Sequence, residues 1–564
     1  MPRLFLGKNE QFTVNSENTS VFGSSGADTL TIKNTALNTV ANANVDNIAF
    51  DGNMADYKFA VQGTNLLVTY NNNTLATIGI QTDSNGTALK FNDITTAAVL
   101  SGLSVATLGK ASISTNAATI TSTAMSGASS ILAQAQAQDK INTTIDSSSL
   151  LSSSSNIVQS LDSGSHWNKT ALTYSYNTSI PSEYSGFELT LTTSGDLTTG
   201  WQAPTAGIKV IADGIMTSIN DVIGATISKV DSGGDIRFNM VPTASNVAGF
   251  AFLPTGNGET NGDVFINTKI DTSASYLANG GYGDQTITHE LGHALGLKHP
   301  FEDTVTLPTA QDNRDNTIMS YTNYKYMYCV FDTTKAGAVY DYVYADSFMV
   351  YDIAALQNIY GVNSNTNTGD NTYSFSDTPI YTTIWDAGGI DTLDLSLTTH
   401  SDTIKLTSGS YNAINYRSVA TQISEQQAKY KADLGTSYYD SWVATTYNNN
   451  AAKMYTGENA LGIAYGCVIE NAIGGSGDDT FYDNSVNNSL SGGAGNDSFY
   501  EGAGGFDTIT GGAGTDKLVL NITKASVQIE KEAAGDTLVV ASDFAIKLIG
   551  VESIQFSDIN YALT

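Results

Sequence analysis

Short apolar runs alternate with Asn, Gly and Asp turns through the first hundred residues. A typical one is Asn65-Leu66-Leu67-Val68-Thr69-Tyr70, followed by three asparagines at 71–73. Period-two patterning between turn formers predicts short antiparallel strands, and hence a small β-rich domain over residues 1–110. From 111 to 164 the composition shifts to Ser, Thr, Ala and Gln, which reads as a linker with a helix at 128–139. The longest helical patterns lie between 165 and 365. Ile208, Ile211, Ile215 and Ile219 recur at a spacing of three or four and predict a helix over 201–223. A second helix is predicted over residues 350–360, stopped by Gly361 at its C-cap. From 366 to 564 the pattern returns to strands and turns, glycine-rich from 471 onward. The fold class is therefore multidomain, part α+β and part all-β.

Composition narrows the function. Asp and Glu number 55 against 25 Lys and Arg, a net charge of −30, and no basic cluster is present to neutralise phosphates. A nucleic-acid partner is excluded on that ground. With 14% charged and 41% hydrophobic residues the chain is not disordered throughout. No stretch reaches the roughly 18 apolar residues of a membrane helix, so no transmembrane segment is expected, and the opening residues do not form a Sec-type signal. An acidic surplus with 52 glycines suits a calcium binder, because calcium prefers carboxylate and carbonyl oxygens. Cys329 and Cys467 either pair or remain two buried thiols.

A repeat dominates the last hundred residues. Segments 474–479, 492–497 and 511–516 all read GGxGxD, with their aspartates 18 and 19 residues apart. That is about twice the nonapeptide period of a calcium-binding parallel β-roll, so the three copies should stack on one edge. Glycines allow the turn backbone to present carbonyls, while the sixth-position aspartate supplies a charged oxygen. The candidate calcium ligands are thus Gly475, Gly477 and Asp479, Gly493, Gly495 and Asp497, and Gly512, Gly514 and Asp516. The degenerate turns 483–488 and 502–507 should form the opposite edge, where Asp507 is a further candidate. A flexible glycine linker would not place Phe481, Phe499 and Leu518 two residues after each aspartate. A weaker echo of 511–520 occurs at 23–32, so the two ends of the chain could share a related β unit.

Three of the five histidines fall in one window, His289-Glu290-Leu291-Gly292-His293-Ala294-Leu295-Gly296-Leu297-Lys298-His299. On a helix, His289 and His293 lie one turn apart on the same face. Glu290 sits beside the first ligand, placed to hold a metal-bound water. Gly296 permits the left-handed turn that returns His299 as a third nitrogen ligand. Asp284 is the predicted N-cap. Three protein ligands with an open position describe a catalytic zinc site rather than a closed structural one. Chance clustering on a buried helix is the alternative, and the full HExxHxxGxxH spacing weighs against it.

With these motifs in view, the chain resembles the serralysin-type metalloproteases, secreted bacterial metzincins with a calcium β-roll. The resemblance covers about residues 165–520. It includes Pro300 after the zinc motif, the Met-turn-like residues 317–321, residues 352–361 and 385–392, and residues 469–475. It implies a metzincin α/β catalytic domain at 165–365 and a C-terminal β-roll, β-sandwich and secretion domain at 366–564. It places Met319 beneath the metal and makes Tyr321 a catalytic residue and displaceable zinc ligand. It adds Asp386 and Asp391 to the calcium ligands, and it makes Gly249, Phe250, Ala251 and Phe252 a strand that pairs with extended substrate. One catalytic zinc, several structural calcium ions, protein or peptide substrates and type I export to the exterior are all implied. The segment between Pro300 and Met319 is short for the family, and the leader before residue 165 is long.

The activity so implied is zinc-dependent hydrolysis of peptide bonds, with Glu290 as general base. The rival from another class is a surface-layer-associated or adhesive calcium protein that keeps the protease fold as scaffold, bound to the cell surface through residues 1–110. A metzincin confined to one partner protein, or to its own processing, is the rival within the enzyme class.

Overall fold

The computed structural model describes residues 3–6, 11–23, 28–42, 44–62, 64–80, 87–92, 95–102, 105–108, 111–113, 118–119, 143–187, 189–244, 246–255, 260–270, 273, 275–323, 325–331, 338–502, 504–531, 535–541 and 544–563. The helix expected at 128–139 lies outside them. The chain divides into two compact units, residues 143–482 with 493–495, and residues 1–142 with 483–492 and 496–564.

In residues 1–142 the strands alternate between two sheets. Arg3–Phe5, Ser20–Phe22, Thr39–Ala41 and Asn73–Gly79 run parallel in one. Gln11–Val14, Thr29–Ile32, Asn47–Phe50 and Thr87–Lys90 run parallel in the other. This corrects the expected antiparallel pairing for these strands; it holds where Tyr57–Gln62, Asn65–Tyr70 and Asn73–Gly79 form a meander, where Thr87–Lys90, Thr95–Gly102, Val105–Leu108 and Ala111–Ile113 follow one another, and where Ala118–Thr119 pairs with Tyr57–Gln62. Alternation of apolar and polar residues is the same for both strand directions, so it could not distinguish them. Leu30, Ile32, Ile48, Leu66, Val68, Leu75, Ile78 and Leu89 are fully buried in one core with Tyr57 and Phe59.

The same unit contains the end of the chain. There Ser498–Glu501, Lys517–Leu520 and Ser553–Gln555 pair in parallel and Asn560–Ala562 closes the row antiparallel. Gly505–Ala513 pairs in parallel with Phe544–Ile549, which is followed antiparallel by Thr537–Val540 and then Gln528–Lys531.

Residues 143–482 contain six helices among the described residues: α1 (Asn156–Leu161), α2 (Ala206–Val222), α3 (Tyr282–Ala294), α4 (Val350–Tyr360), α5 (Val419–Leu434) and α6 (Asp440–Asn449). A five-stranded sheet runs Thr226–Lys229, Ala171–Tyr176, Ile236–Val241, Val264–Asn267, Gly249–Ala251, the first four parallel and the last antiparallel at the edge. Helix α2 starts at Ala206 rather than 201. Gln202 is drawn off to bridge Met240, and Thr205 caps the helix by accepting the Ile208 N–H at 3.4 Å. Helix α4 ends at Tyr360 and Gly361 follows with φ of 79°. Residues 143–164, read as linker, are folded: Thr143–Thr144 pairs with Gly388–Gly389 and α1 precedes the first strand of the sheet. Thr372–Ser376, Thr392–Leu397 and Asn471–Ile473 begin a further parallel stack. Cys329 and Cys467 are free thiols. Among the described residues no helix is long and apolar enough to cross a membrane.

Candidate metal centre and cleft

Helix α3 carries the first two histidines and is shaped at three glycines. Gly281 is its N-cap, and Asp284 is its third residue, accepting the Gly280 N–H at 2.9 Å instead of capping the helix as predicted. Burial pushes the Asp284 carboxyl up to about 7. Gly292 faces Met319, where an added Cβ would lie 2.4 Å from the sulfur, so the Met-turn sits directly against the helix. At the C-terminus Gly296 takes φ of 100°, with Leu297 N–H donating to Gly292 O and Gly296 N–H to His293 O. This pair of bonds is a Schellman stop. The remaining end carbonyls are also satisfied: the Trp167 indole donates to Ala294 O at 2.9 Å and the Tyr360 hydroxyl to Leu295 O at 2.7 Å. The residue after the stop, Lys298, donates its N–H to Leu161 O, so α1 helps to fix the turn that brings His299 round.

The three imidazoles converge. His293 Nε2 lies 3.1 Å and His289 Nε2 3.3 Å from His299 Nε2. Each opposite nitrogen is tied outward: His289 Nδ1–H donates to Ile318 O, His293 Nδ1–H to Leu297 O, both at 2.8 Å, and His299 Nδ1–H to Glu302 Oε1 at 2.7 Å. Carbonyls and carboxylates only accept, so these Nδ1 atoms carry the protons and the Nε2 lone pairs face one another. Burial and the neighbouring rings push His289 well below the usual imidazole range and His293 down to about 4, so both are neutral. Lone pairs so placed repel unless a cation lies between them. A tetrahedral zinc with nitrogens at about 2.0–2.1 Å would separate them by roughly 3.3 Å, which fits the observed spacing.

The support beneath is a buried carboxylate. Asp352, on α4, accepts from the Thr317 hydroxyl at 2.5 Å, from Ile318 N–H at 2.8 Å and from Met349 N–H at 3.0 Å. It thereby holds the Met-turn whose Ile318 carbonyl orients His289. Sequence reasoning missed Asp352 and Glu302, since both act through another residue and neither belongs to a spacing motif.

Glu290 is 6% exposed, and burial pushes its carboxyl up to about 8. The edge strand Gly249–Ala251 passes close by: a Cβ on Gly249 would lie 3.0 Å from Glu290 Cγ. Tyr321 is 60% exposed, its ring 4.5 Å from that of His299 and 5.7 Å from that of His289. Burial of its ring face, with Glu290 nearby, raises the phenol above its usual range. These groups open onto a cleft of about 710 Å³ lined also by Gly249, Phe250, Ala251, Arg314 and Glu302. Phe252 follows the strand and packs in the core with Phe187 and Phe265 instead of lining the cleft.

The glycine turns bring carboxylates to buried positions. Asp479 accepts Gly475 N–H and Asp402 N–H, and added Cβ atoms on Gly493 and Gly495 would meet the carbonyls of Gly475 and Gly477 at 2.3 and 2.0 Å. Gly512 and Gly514 adopt positive φ. Asp497 N–H donates to Asp516 Oδ1, and Asp516 N–H to Glu552. Asp386 and Asp391 are both buried, with Glu470 accepting the Asp391 N–H at 2.6 Å. Oδ2 of Asp391 and Oδ2 of Asp516 are buried without a hydrogen-bond partner, as oxygens reserved for a cation would be. Glu470 and Glu552 were absent from the predicted set because they fall outside the repeat.

The family described as Peptidase M10 serralysin C terminal matches residues 350–425 and 454–561; the gap falls on the α5–α6 pair. Metalloprotease AprA of Pseudomonas entomophila is 32% identical over 347 residues, 57% of this chain and 60% of that protein. Serralysin G of Dickeya chrysanthemi is 33% identical over 301 residues, 48% of this chain and 52% of its own. Serralysin of Photorhabdus laumondii is 32% identical over 272 residues, 43% and 45% respectively. The chain thus spans between about two-fifths and three-fifths of the length of these curated relatives. By these matches residues 350–425 and 454–561 are similar to the serralysin C-terminal domain, and the chain is similar to serralysin-type metalloproteases over about half of its length.

Proposed function

We propose that this chain is a secreted zinc-dependent metalloendopeptidase, exported by a type I route and acting on proteins or unfolded peptides. The observation that carries the reading is the convergence of three imidazole Nε2 atoms, each with its other nitrogen anchored, beside a buried carboxylate. His289, His293 and His299 would hold one zinc, which when bound supplies a Lewis acid and a water acidic enough to ionise near pH 7.

The chain's own groups do the rest. Glu290 takes a proton from the attacking water on a carboxylate oxygen and returns it to the leaving nitrogen, as general base and then general acid. Its burial raises its proton affinity, so that it can keep the proton it takes until the leaving nitrogen is ready to receive it. The Tyr321 hydroxyl, beside His289 and His299, would donate to the substrate oxygen as negative charge develops there, or would serve as a further residue to hold the zinc. Gly249–Ala251, at the sheet edge, offers backbone groups to an extended peptide, with Gly249 leaving room for Glu290. Calcium would occupy the turns of 474–479, 492–497 and 511–516, the turn ending at Asp507, and the Asp386–Asp391 turn. The relatives named above are a metalloprotease and serralysins by name, and the cell-surface alternative rests on composition and on the long β-rich leader.

Casein hydrolysis by the purified chain tests the reading. Glu290→Gln should lower kcat about 10²–10⁴-fold with zinc content unchanged, and a chelator should abolish activity. Full activity in Glu290→Gln would remove that residue from the mechanism.

A further inference from the structure

Helix α3 turns one stripe of residues to the cleft. Tyr282, Gln285, Thr286, His289 and His293 follow the spacing i, i+3, i+4, i+7 and i+11 of a single helical face, and all five line the cavity. The two histidines belong to the metal centre, and the three residues before them do not. At about 1.5 Å of rise per residue, those three lie roughly 4–11 Å along the helix axis from His289. An extended peptide advances about 3.3 Å per residue, so this wall borders the first few side chains beside the metal centre.

Arg314 lines the same cleft and is half-buried. Its backbone N–H donates to Thr322 O at 2.9 Å, its Nε–H to Ser320 O at 2.9 Å and its Nη1–H to Asn323 Oδ1 at 2.6 Å. All these acceptors are neutral, and among the described residues no carboxylate pairs with the guanidinium. A guanidinium carries five N–H donors, so three are left over. Burial pushes it below the ordinary arginine range, and the groups that most oppose the shift are the phenols of Tyr282, Tyr344, Tyr321 and Tyr326. Lys298, the other cation of the cleft lining, is by contrast committed to Glu302 O, Val305 O and Asp303. A desolvated guanidinium held by neutral acceptors alone lacks the partner that best offsets its burial, a carboxylate met by two parallel N–H bonds.

We infer that Arg314, with the Tyr282 hydroxyl as a second donor, forms a subsite that takes the carboxylate of an aspartate or glutamate flanking the peptide bond to be cut. The inference rests on the protease reading and narrows it, from proteins at large to chains cut beside an acidic residue. The preference is local in origin. A net charge of −30 repels acidic substrates at a distance, so only a cation inside the cleft reverses it. Bonds from Nε and Nη1 already hold the guanidinium, so binding costs little further ordering.

Peptides that differ at a single residue test it. The full-length chain, loaded with zinc and calcium, is given peptides alike except at the positions flanking the cut bond, which carry Asp, Asn, Glu, Gln or Leu in turn. At one of those positions kcat/KM should be at least about tenfold higher for Asp than for Asn, or for Glu than for Gln. Asn and Gln match the acids in shape, so the ratio reads charge. Arg314→Gln should bring that ratio to about one, whatever its absolute rate, with zinc content unchanged. Wild-type ratios of about one for both pairs at both positions, with the peptides still cut, would overturn the subsite and leave the protease reading standing. So would a folded Arg314→Gln variant that kept the wild-type ratio. If that variant does not fold, the wild-type ratios decide alone. Hydrolysis of none of the peptides, nor of casein, would overturn the protease reading and the subsite with it.

Discussion

The two ends of this chain use the same strand arrangement and stabilise it differently. Near the N-terminus, Thr29–Ile32 pairs in parallel with Asn47–Phe50, Leu30 opposite Ile48. Near the C-terminus, Lys517–Leu520 pairs in parallel with Ser553–Gln555, Leu518 opposite Ile554. Each pairing is preceded by a buried aspartate whose N–H donates to a carboxylate in the partner turn, Asp28 to Asp46 and Asp516 to Glu552. In both, the last parallel strand is followed by an antiparallel meander. The turn of the echo between residues 23–32 and 511–520 lies outside the described residues at 24–27, and the described strands Thr29–Ile32 and Lys517–Leu520 share the parallel pairing. The difference lies in what fills the turns. The N-terminal copy relies on a continuous apolar core and asparagines in left-handed turns, such as Asn38, Asn71 and Asn72. The C-terminal copy concentrates buried carboxylates, among them Asp497, Glu501, Asp507 and Asp516. One topology thus carries turns filled mainly by apolar groups and asparagines at one end and turns rich in carboxylates, which the proposed calcium would neutralise, at the other.

Calcium removal should separate the two most strongly. Each site filled at about a thousandfold over its Kd contributes about 4 kcal/mol, so stripping the roll should unfold it. Hydrogen exchange in a calcium chelator should show free exchange across 498–501 and 517–520 while 29–32 and 47–50 stay protected. Equal loss at both ends would break the comparison.

Cavity mutants sharpen it further. Leu30 and Leu518 are both fully buried at corresponding positions. Replacement by Ala should cost about 2–5 kcal/mol at each. For Leu30→Ala the drop in denaturation midpoint should be independent of calcium. For Leu518→Ala it should appear as a raised calcium requirement for folding. Calcium dependence of the Leu30→Ala effect would contradict the assignment.

Asp352 is the control among buried carboxylates, because donors rather than a cation satisfy it. Asp352→Ala should destabilise the 143–482 unit by about 1.5–3 kcal/mol per charged hydrogen bond lost, less where the donors find water, and identically with and without calcium. A calcium-dependent effect measured by thermal melting would show that the contrast with Glu501 is misplaced.

The smallest expected effect is on pH dependence. Burial, then Glu552 nearby, hold the Asp516 carboxyl above its ordinary 3.8 in the folded, calcium-free form. A raised carboxyl favours the protonated folded state below about pH 4 and loses that contribution as pH rises through its folded value. Calcium must displace such protons, so its apparent affinity for the roll should rise with pH, about tenfold per unit for each proton released. Titrations from about pH 4 upward would reveal this; a midpoint independent of pH throughout would contradict it.

Local chemistry was legible in the sequence where one segment carries all of it. The spacing of His289, His293 and His299 around Gly296 required no knowledge of other strands, and neither did the stop at Gly361 or the glycine turns. Long-range choices were not legible. Period-two alternation is blind to strand direction, so the parallel pairing at 29–32 was read as antiparallel. The partners that complete each site come from distant chain: Asp352 reaches the Met-turn from 33 residues beyond Met319, and Glu470 meets Asp391 from 79 residues away. Such partners have no motif because their only constraint is where the fold delivers them.

The central claim concerns the histidine triad. Zinc-edge X-ray absorption on the full-length chain measures its ligands directly. The account predicts three nitrogen scatterers at about 2.0–2.1 Å completed by oxygen, with zinc lost from a variant in which His299 is replaced by Ala. A spectrum without imidazole scattering, or unchanged zinc binding in that variant, would contradict it.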